Sequence, residues 1–559
     1  MPHFDTYPVA YSFPVYALCW ALLWLATRPN SRWFLPCAFA LLFLLRLPGI
    51  VFNGEINPDE SQMITQGMTL AQDPVYFRSV DGTTGGPLDS YFLVIPGWFG
   101  LPADFITAHF CAFLLVALSF GLIFMAVRQW FGRQAAQLAV LPFIFLLGLT
   151  QNGDFIHYNS ELIAICLLGG AYLLYARQTA QSLPSLASLG LMGFLLGMVP
   201  FGKLQGVPLA AVTGLFAAVD ILLRVNITVA GKVKRVGALV AGGLAFPALF
   251  TVFMWSTGML SDFVTFYIQG NFNYASGGDP IQNLLNLPRF FRKGTEFEWL
   301  VYLTLALFFT ALTVYITARR QTSETAKTWQ RHAFILTLLA ATLYAITKTG
   351  SEYVHYLYFL MGPLCLLAGF SWANLPEKTT PYRLGLGFMA IYLIGFAGQM
   401  IWNYRHGIAL NPYPTDQQGG WRLPQSDVAK VVRQYAQPGE KLVVWGWRCD
   451  YYVQTQMPQG VAENHTIRST FAHPMLGVYQ KRYARDFKRS FPPVFVDAVG
   501  SQNLWMTDKK TQGYEIIKPL AEFVRKHYQF VGMANDARIF VRNDRIKARP
   551  QPVADTSIK

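Results

Sequence analysis

Twelve apolar stretches occupy most of the first 402 of 559 residues, and they constrain the fold more than any other feature. Backbone placed in lipid has no water to satisfy it, so it must form helices or closed barrels. Continuous apolar runs, rather than alternating ones, select helices. The first six runs are Val9–Ala26, Trp33–Val51, Ala103–Val127, Ala135–Leu149, Leu162–Tyr175 and Leu186–Val199. The second six are Gly206–Leu223, Val236–Trp255, Trp299–Ala318, Ala333–Ile346, Tyr353–Ala373 and Leu384–Trp402. Composition agrees: 53% of residues are hydrophobic and 14% charged, against about 25% charged in a soluble domain. A soluble enzyme and a disordered chain are both excluded. The first run lacks a basic leading segment and a small-residue cleavage site, so it reads as a retained span.

The net charge is +14. The basic residues are scattered through alternate short loops, which points to membrane orientation rather than nucleic acid. Arg28 and Arg32, Arg128 and Arg133, Arg177, Arg224 to Arg235, Arg319 to Arg331, and Lys378 with Arg383 mark the cytoplasmic set, where Glu324 and Glu377 are the chief acids. The other loops hold Glu55, Asp59, Glu60, Asp89, Asp154, Asp279, Glu296 and Glu352 and fall outside, with both termini. The six cysteines form no disulfide or zinc framework; five lie in apolar stretches and Cys449 stands alone.

Two domains are expected. Residues 1–402 form a transmembrane unit of about 12–13 spans, with long outer loops at 52–101 and 258–298. Residues 403–559 are polar and read as a soluble α/β domain on the outer face. Its signals are a helix at Val428–Tyr435 capped by Ser426 or Asp427, strands at Leu442–Gly446 and Val494–Val496, a helix at Leu520–His527 and a strand at Ile539–Val541. The tail from about Lys547 reads as disordered.

Ionisable residues at the ends of spans are the candidates for chemistry. Asp59 and Glu60 follow the second span; one carboxylate can act as a general base while the other orients it or binds sugar hydroxyls or a metal. The alternative is that Asp59 caps a helix over Ser61–Ala71, with Glu60 in its first turn. The Gly82–Phe92 segment joins a Gly/Pro turn to aromatics, which suits backbone close to a ligand. Tyr158, Asn159 and Glu161 precede a span, where a charge is functional, paired or solvated at the interface. Lys203 sits in a very short turn and suits a lipid phosphate or an interfacial anchor with a snorkelling stem. Arg289 and Arg292 share a helical face and can clamp a phosphate or serve as a charged loop face. His355 and Tyr356 enter the membrane, where they can bind phosphate or sugar or join an aromatic belt.

In order, these segments resemble the GT-C glycosyltransferases. The resemblance is to the protein O-mannosyltransferase and lipid A aminoarabinose transferase group. It rests on Asp59-Glu60 after a span, Gly86-Pro87-Leu88 with Tyr91-Phe92, Asn159 to Glu161 at a span start, Lys203 in its turn, and His355-Tyr356 before Pro363. Pro438-Gly439-Glu440, Val444-Trp445-Gly446 and Pro492-Pro493 look like the outer domain of bacterial members. Where that family carries a basic residue before Pro-Pro-Leu, this chain has Gly85-Gly86-Pro87-Leu88; where it has a second acid, Asn159 or Glu161 stands here.

The resemblance implies a GT-C fold. It implies transfer of a sugar from a polyprenyl-phosphate donor to a hydroxyl of a glycolipid, envelope glycan or protein, on the outer face of a bacterial inner membrane. It implies Asp59, Glu60 and Glu161 as catalytic groups and Lys203, Arg289, Arg292 and His355 on the donor phosphate. Tyr158, Asn159 and Tyr356 would contact sugar or acceptor. A divalent cation beside Asp59 and Glu60 is compatible with this site, although no cluster in the sequence demands one. The rival readings are a secondary transporter or flippase of a lipid-linked precursor, and a scaffold built on a degenerate transferase. Transporters place ionisable groups at mid-membrane, whereas here they cluster in the loops.

Overall fold

The computed structural model describes residues 4–29, 31–275, 279–319, 326–415 and 420–547. The tail after Lys547 and the loop residues Arg320 and Glu324 lie outside them. Each of the twelve expected spans falls on a helix. Among the described residues, eight helices, Phe105–Phe131 and Val229–Ser256 among them, are long and apolar enough to cross a membrane. Phe34–Ile50, Arg133–Leu149 and Leu186–Gly202 are shorter, at 17 residues each, about 26 Å of helix. Ala326–Thr347 completes the set. The chain is an integral membrane protein.

Several helices outrun their apolar stretches. The eighth begins at Val229 rather than Val236, because Thr228 caps it by accepting a hydrogen bond from Gly231 N. Its first turns then carry Lys232, Lys234 and Arg235, which hydropathy cannot see. The same helix packs against Leu186–Gly202 through glycine: a Cβ on Gly193 would lie 2.0 Å from Leu239 O, and one on Gly197 2.1 Å from Gly243 O. Lipid supplies no hydrophobic drive between helices, so backbone approach at small residues does this work. The helix Tyr358–Ala373 is buried over nearly its whole length and forms the centre of the bundle.

The C-terminal region holds a four-stranded sheet: β1 (Leu442–Trp445), β2 (Val494–Asp497), β3 (Tyr528–Ala534) and β4 (Ala537–Arg542). The strand order is β1-β2-β4-β3, with β1 and β2 parallel and the other pairs antiparallel. Helices cover both faces, so β1 and β2 are buried at every position rather than alternately. Leu442 and Val444 pack toward Val428 and Val432; Val443 and Trp445 pack toward Phe487 and Leu520. Three of the four strands, the helix capped by Ser426 and the helix Lys518–His527 stand where the sequence predicts. β3 and the amphipathic helix Leu476–Ser490 are additional elements.

This region docks on the loop after the second span. Arg482 Nη2 lies 2.5 Å from Asp81 Oδ2, with both side chains almost fully buried. Asn464 Nδ2 donates to Gln62 O at 2.9 Å, and Gln459 N to Thr69 Oγ1 at 3.0 Å. The helix Pro58–Gln72 is therefore clamped between the bundle and the C-terminal region.

Candidate functional site

The helix Pro58–Gln72 starts three residues earlier than the sequence predicts. Its cap is Asn57, whose side-chain oxygen accepts from Asp59 N at 2.9 Å, with Pro58 in the first turn. Asp59 is thus not a cap, and its carboxylate has no hydrogen-bond or ion-pair partner among the described residues. Glu60 is its opposite. It is fully buried, accepts from Ile56 N, and its Oε2 lies 2.9 Å from His109 Nε2 on the helix Phe105–Phe131. One residue of helical rotation sends Asp59 to one side and Glu60 into the bundle.

Asp59, Gln62, Met63 and Gln66 share one helical face and line a cavity of about 420 Å³. The opposite walls come from Gly82–Gly86, Asp154, Ser160, Lys203, Tyr274, His355 and Tyr356, and from Trp447, His465, Arg468 and Trp505 of the C-terminal region. These residues lie on alternate connections between successive helices, the set that the charge asymmetry assigns to a single side.

Lys203 is neither a lone cation nor an interfacial anchor. It is 5% exposed, its Nζ donates to Ser160 Oγ at 2.6 Å, and it pairs with Glu161 Oε1 at 3.1 Å. An ammonium has three donors, so one remains for the cavity. Glu161 is fully buried and does not line the cavity; it serves as the counter-ion. The Gly-Gly-Pro turn holds this lysine in place: Gly86 N donates to Gly202 O at 2.8 Å, and a Cβ on Gly86 would lie 2.0 Å from Phe201 O. Only glycine permits that approach. Asp89 Oδ2 accepts from Gly86 N at 3.0 Å. Burial pushes Asp89 well above the usual carboxylate range, although Lys203 opposes the shift.

Asp154, to which the sequence assigns no role beyond an outer loop, lines the cavity. Its Oδ1 accepts from Asn57 Nδ2 at 2.9 Å and its Oδ2 lies 3.7 Å from His355 Nδ1. Burial alone would raise its pKa, but His355, His157 and Asn57 bring it down to about 2. One ligand atom each of Asp154, His157 and His355 falls within 4.8 Å of the others. His157 Nδ1 is 2.9 Å from Gly153 O, which only accepts, so in the neutral ring Nδ1 carries the proton and Nε2 the lone pair. Among the described residues, that Nε2 and His355 Nδ1 are buried without a hydrogen-bond partner. Two imidazoles and a carboxylate, one imidazole oriented by a carbonyl, fit a divalent cation. This cluster lies at Asp154, in the cavity that Asp59 also lines; a cation beside Asp59 and Glu60 is what the sequence allows without demanding.

The remaining predicted residues divide. Tyr356 lines the cavity and lies 3.5 Å, oxygen to oxygen, from Tyr274. Tyr158 and Asn159 are buried behind the wall. Tyr158 donates to Asp89 O at 2.8 Å, and Asn159 Oδ1 accepts from Glu161 N at 3.3 Å. Arg289 and Arg292 share the helix Leu287–Lys293, but their side chains are 74% and 70% exposed and face Glu352 and Glu298 at 3.6 Å. Neither reaches the cavity. Arg468 does, with its guanidinium 5.7 Å from the Tyr274 ring.

A second cavity, of about 550 Å³, adjoins the first at Thr84, Lys203, Tyr274 and Tyr356. Leu204, Val207, Pro208, Ile268 and Phe272 make its lining largely apolar. A polar chamber and an apolar groove therefore share a boundary at Lys203.

No family model matches the sequence, and no curated protein does. Solved structures do match. ArnT from Cupriavidus metallidurans bound to undecaprenyl phosphate superposes with a TM-score of 0.51 at 14% identity, covering 93% of this chain and 100% of that one. Its apo form gives 0.52 at 14%, covering 92% and 98%. The chain has the GT-C fold.

Proposed function

We propose that the protein is a membrane glycosyltransferase that moves a sugar from a polyprenyl-phosphate donor to an acceptor hydroxyl on the outer face of the membrane. The observation that carries this reading is the unpaired Asp59 carboxylate in a polar cavity whose border with an apolar groove is Lys203. A polyprenyl-phosphate sugar has the matching parts: an apolar tail, one phosphate and one polar ring. The tail lies in the groove, the phosphate at Lys203 and the sugar in the cavity. The ArnT neighbour's bound undecaprenyl phosphate supports this class of donor.

Asp59 takes the proton of the acceptor hydroxyl as its oxygen attacks the anomeric carbon. The bond from that carbon to the phosphate oxygen breaks, and the configuration inverts. Negative charge gathers on the departing phosphate, where the third donor of Lys203 and the Tyr274 and Tyr356 hydroxyls stabilise it. Glu161 keeps Lys203 charged while it is buried. Arg468 supplies the further cation that Arg289 and Arg292 were expected to provide. Glu60 anchors the helix that carries Asp59, by way of His109. A divalent ion held by Asp154, His157 and His355 would add Lewis-acid stabilisation of phosphate charge.

The test is to incubate purified protein with native lipid extract and follow free polyprenyl phosphate by mass spectrometry. Release that depends on an added envelope acceptor fraction supports the reading. Intact donor in the presence of verified acceptor, with substrate flux in proteoliposomes, favours the transporter instead.

A further inference from the structure

We propose that the cavity wall built by the C-terminal region is an acceptor subsite for a pyranose unit, so the acceptor is a saccharide of an envelope glycan or glycolipid headgroup. This rests on the transferase reading above.

The wall is built of Trp447, His465, Ile467, Leu504 and Trp505, with Arg468 as its charged member. Trp447 stacks on His465, with ring centroids 5.0 Å apart and planes 26° apart. Trp505 meets Trp447 edge-on at 5.4 Å and 77°. Burial draws His465 down to about 4, so its imidazole is neutral at pH 7. Trp505 is 46% exposed, yet it is held in place. Asn503 Oδ1 accepts from Trp505 N at 3.2 Å and from Met506 N at 3.1 Å, which fixes the loop. An exposed indole on a fixed loop, turned into a cavity, is a surface for a flat apolar face.

Gln62 stands on the helix that lines the same cavity. It is 7% exposed, and its backbone oxygen is taken by Asn464. Its side-chain amide has no partner among the described residues. An amide open to the cavity offers both a donor and an acceptor, and a ligand that offers both can pair with each. Vicinal hydroxyls of a pyranose do so, and the axial C–H face of the same ring covers an indole. An acyl chain would cover the indoles but leave the amide bare, and an inorganic anion would accept from the amide nitrogen but serve neither its oxygen nor the indoles. Gln62 follows Asp59 by three residues, so their Cβ atoms are about 5–6 Å apart. A pyranose held by Gln62 therefore presents a neighbouring hydroxyl to the Asp59 carboxylate.

The test is saturation-transfer NMR on the full-length protein in detergent, with maltotriose, triacetylchitotriose and methyl α-mannopyranoside as probes and a Gly-Ser-Gly peptide for comparison. Donor consumption is measured on the same preparation. The expected result is saturation of ring C–H protons in at least one saccharide, reduced at least fivefold in both Trp505→Ala and Gln62→Leu. Trp98→Ala, an exposed tryptophan outside the cavity lining, keeps the signal. Signal from no saccharide, signal from the peptide alone, or equal signal in Trp505→Ala overturns the subsite. Donor consumption without any saccharide signal overturns the subsite and leaves the transferase reading standing. Saccharide signal with no donor consumption does the opposite.

Discussion

On the bundle side of the cavity, carboxylates are partnered: Glu161 by Lys203 at 3.1 Å, Glu60 by His109 at 2.9 Å, Asp154 by the Asn57 amide at 2.9 Å. On the C-terminal side the wall is made of rings, Trp447, His465 and Trp505, with Arg468 at its edge. The two walls divide the work. Groups locked by ion pairs present charge without reorganising when the reaction demands it. Rings bind a neutral surface and leave the field of the cavity unchanged. Asp59 is the exception on the bundle side, a carboxylate left unpaired, and an unpaired base is what proton abstraction needs.

The comparison breaks most severely at Lys203. Lys203→Met removes the donor at the phosphate and should lower turnover by about 10²–10³. It also leaves Glu161 buried without a counter-ion, at a cost of about 3–5 kcal/mol. Adding Glu161→Gln should restore thermal stability, as read by the unfolding temperature, without restoring turnover. If the double variant is active, Lys203 is structural only. Asp154→Asn comes next. Isothermal titration should show Mn²⁺ or Zn²⁺ binding weakened by at least roughly tenfold, and unchanged binding would remove Asp154 as a ligand.

The C-terminal side has a pH signature of its own. Burial raises Glu463 from 4.5 to about 7, with Arg482 and Ser469 opposing the shift. The folded state therefore holds a proton that the unfolded chain releases between those values. Stability should fall as pH rises from about 4.5 to about 7 and then level off, by on the order of 3 kcal/mol. Glu463→Gln cannot titrate, so its unfolding temperature should vary less over that window. An unchanged slope would show that Glu463 is not the group responsible. The smallest effect belongs to Arg289→Gln with Arg292→Gln. Exposed pairs are worth about 0–1 kcal/mol, and turnover should change by less than about twofold. A large loss would bring that helix back to the donor phosphate.

Much of this fold is legible in the sequence because lipid allows few choices: twelve apolar runs give helices, and loop charge sorts their ends. The site is legible in part. Asp59 stands out as an acid just past a span, but the sequence cannot tell that Asn57 takes the cap and frees it. Nor can it separate Asp59 from Glu60, since one residue of rotation decides which faces the cavity. Asp154 and His157 carry a readable signal, a carboxylate and an imidazole three residues apart in a loop, which Asn159 and Glu161 overshadowed. Arg289 and Arg292 do share a helix as their spacing predicts, yet spacing does not say what that face meets. β3 is readable in retrospect: Asn535 and Asp536 both adopt positive φ, at 46° and 62°, as a two-residue hairpin turn requires. The aromatic wall is a product of docking across about 400 residues of sequence separation, as in the contact of Asn464 with Gln62, and no local pattern announces it.

The mechanism depends on Asp59 being the base and Glu60 the brace. The direct measurement is the rate of polyprenyl phosphate release by wild type, Asp59→Asn and Glu60→Gln, purified at matched unfolding temperature and supplied with the same donor and acceptor. Asp59→Asn should fall by at least about 10², while Glu60→Gln, once folded, should keep most of the rate. Equal release by wild type and Asp59→Asn, or a loss confined to Glu60→Gln, would contradict the mechanism.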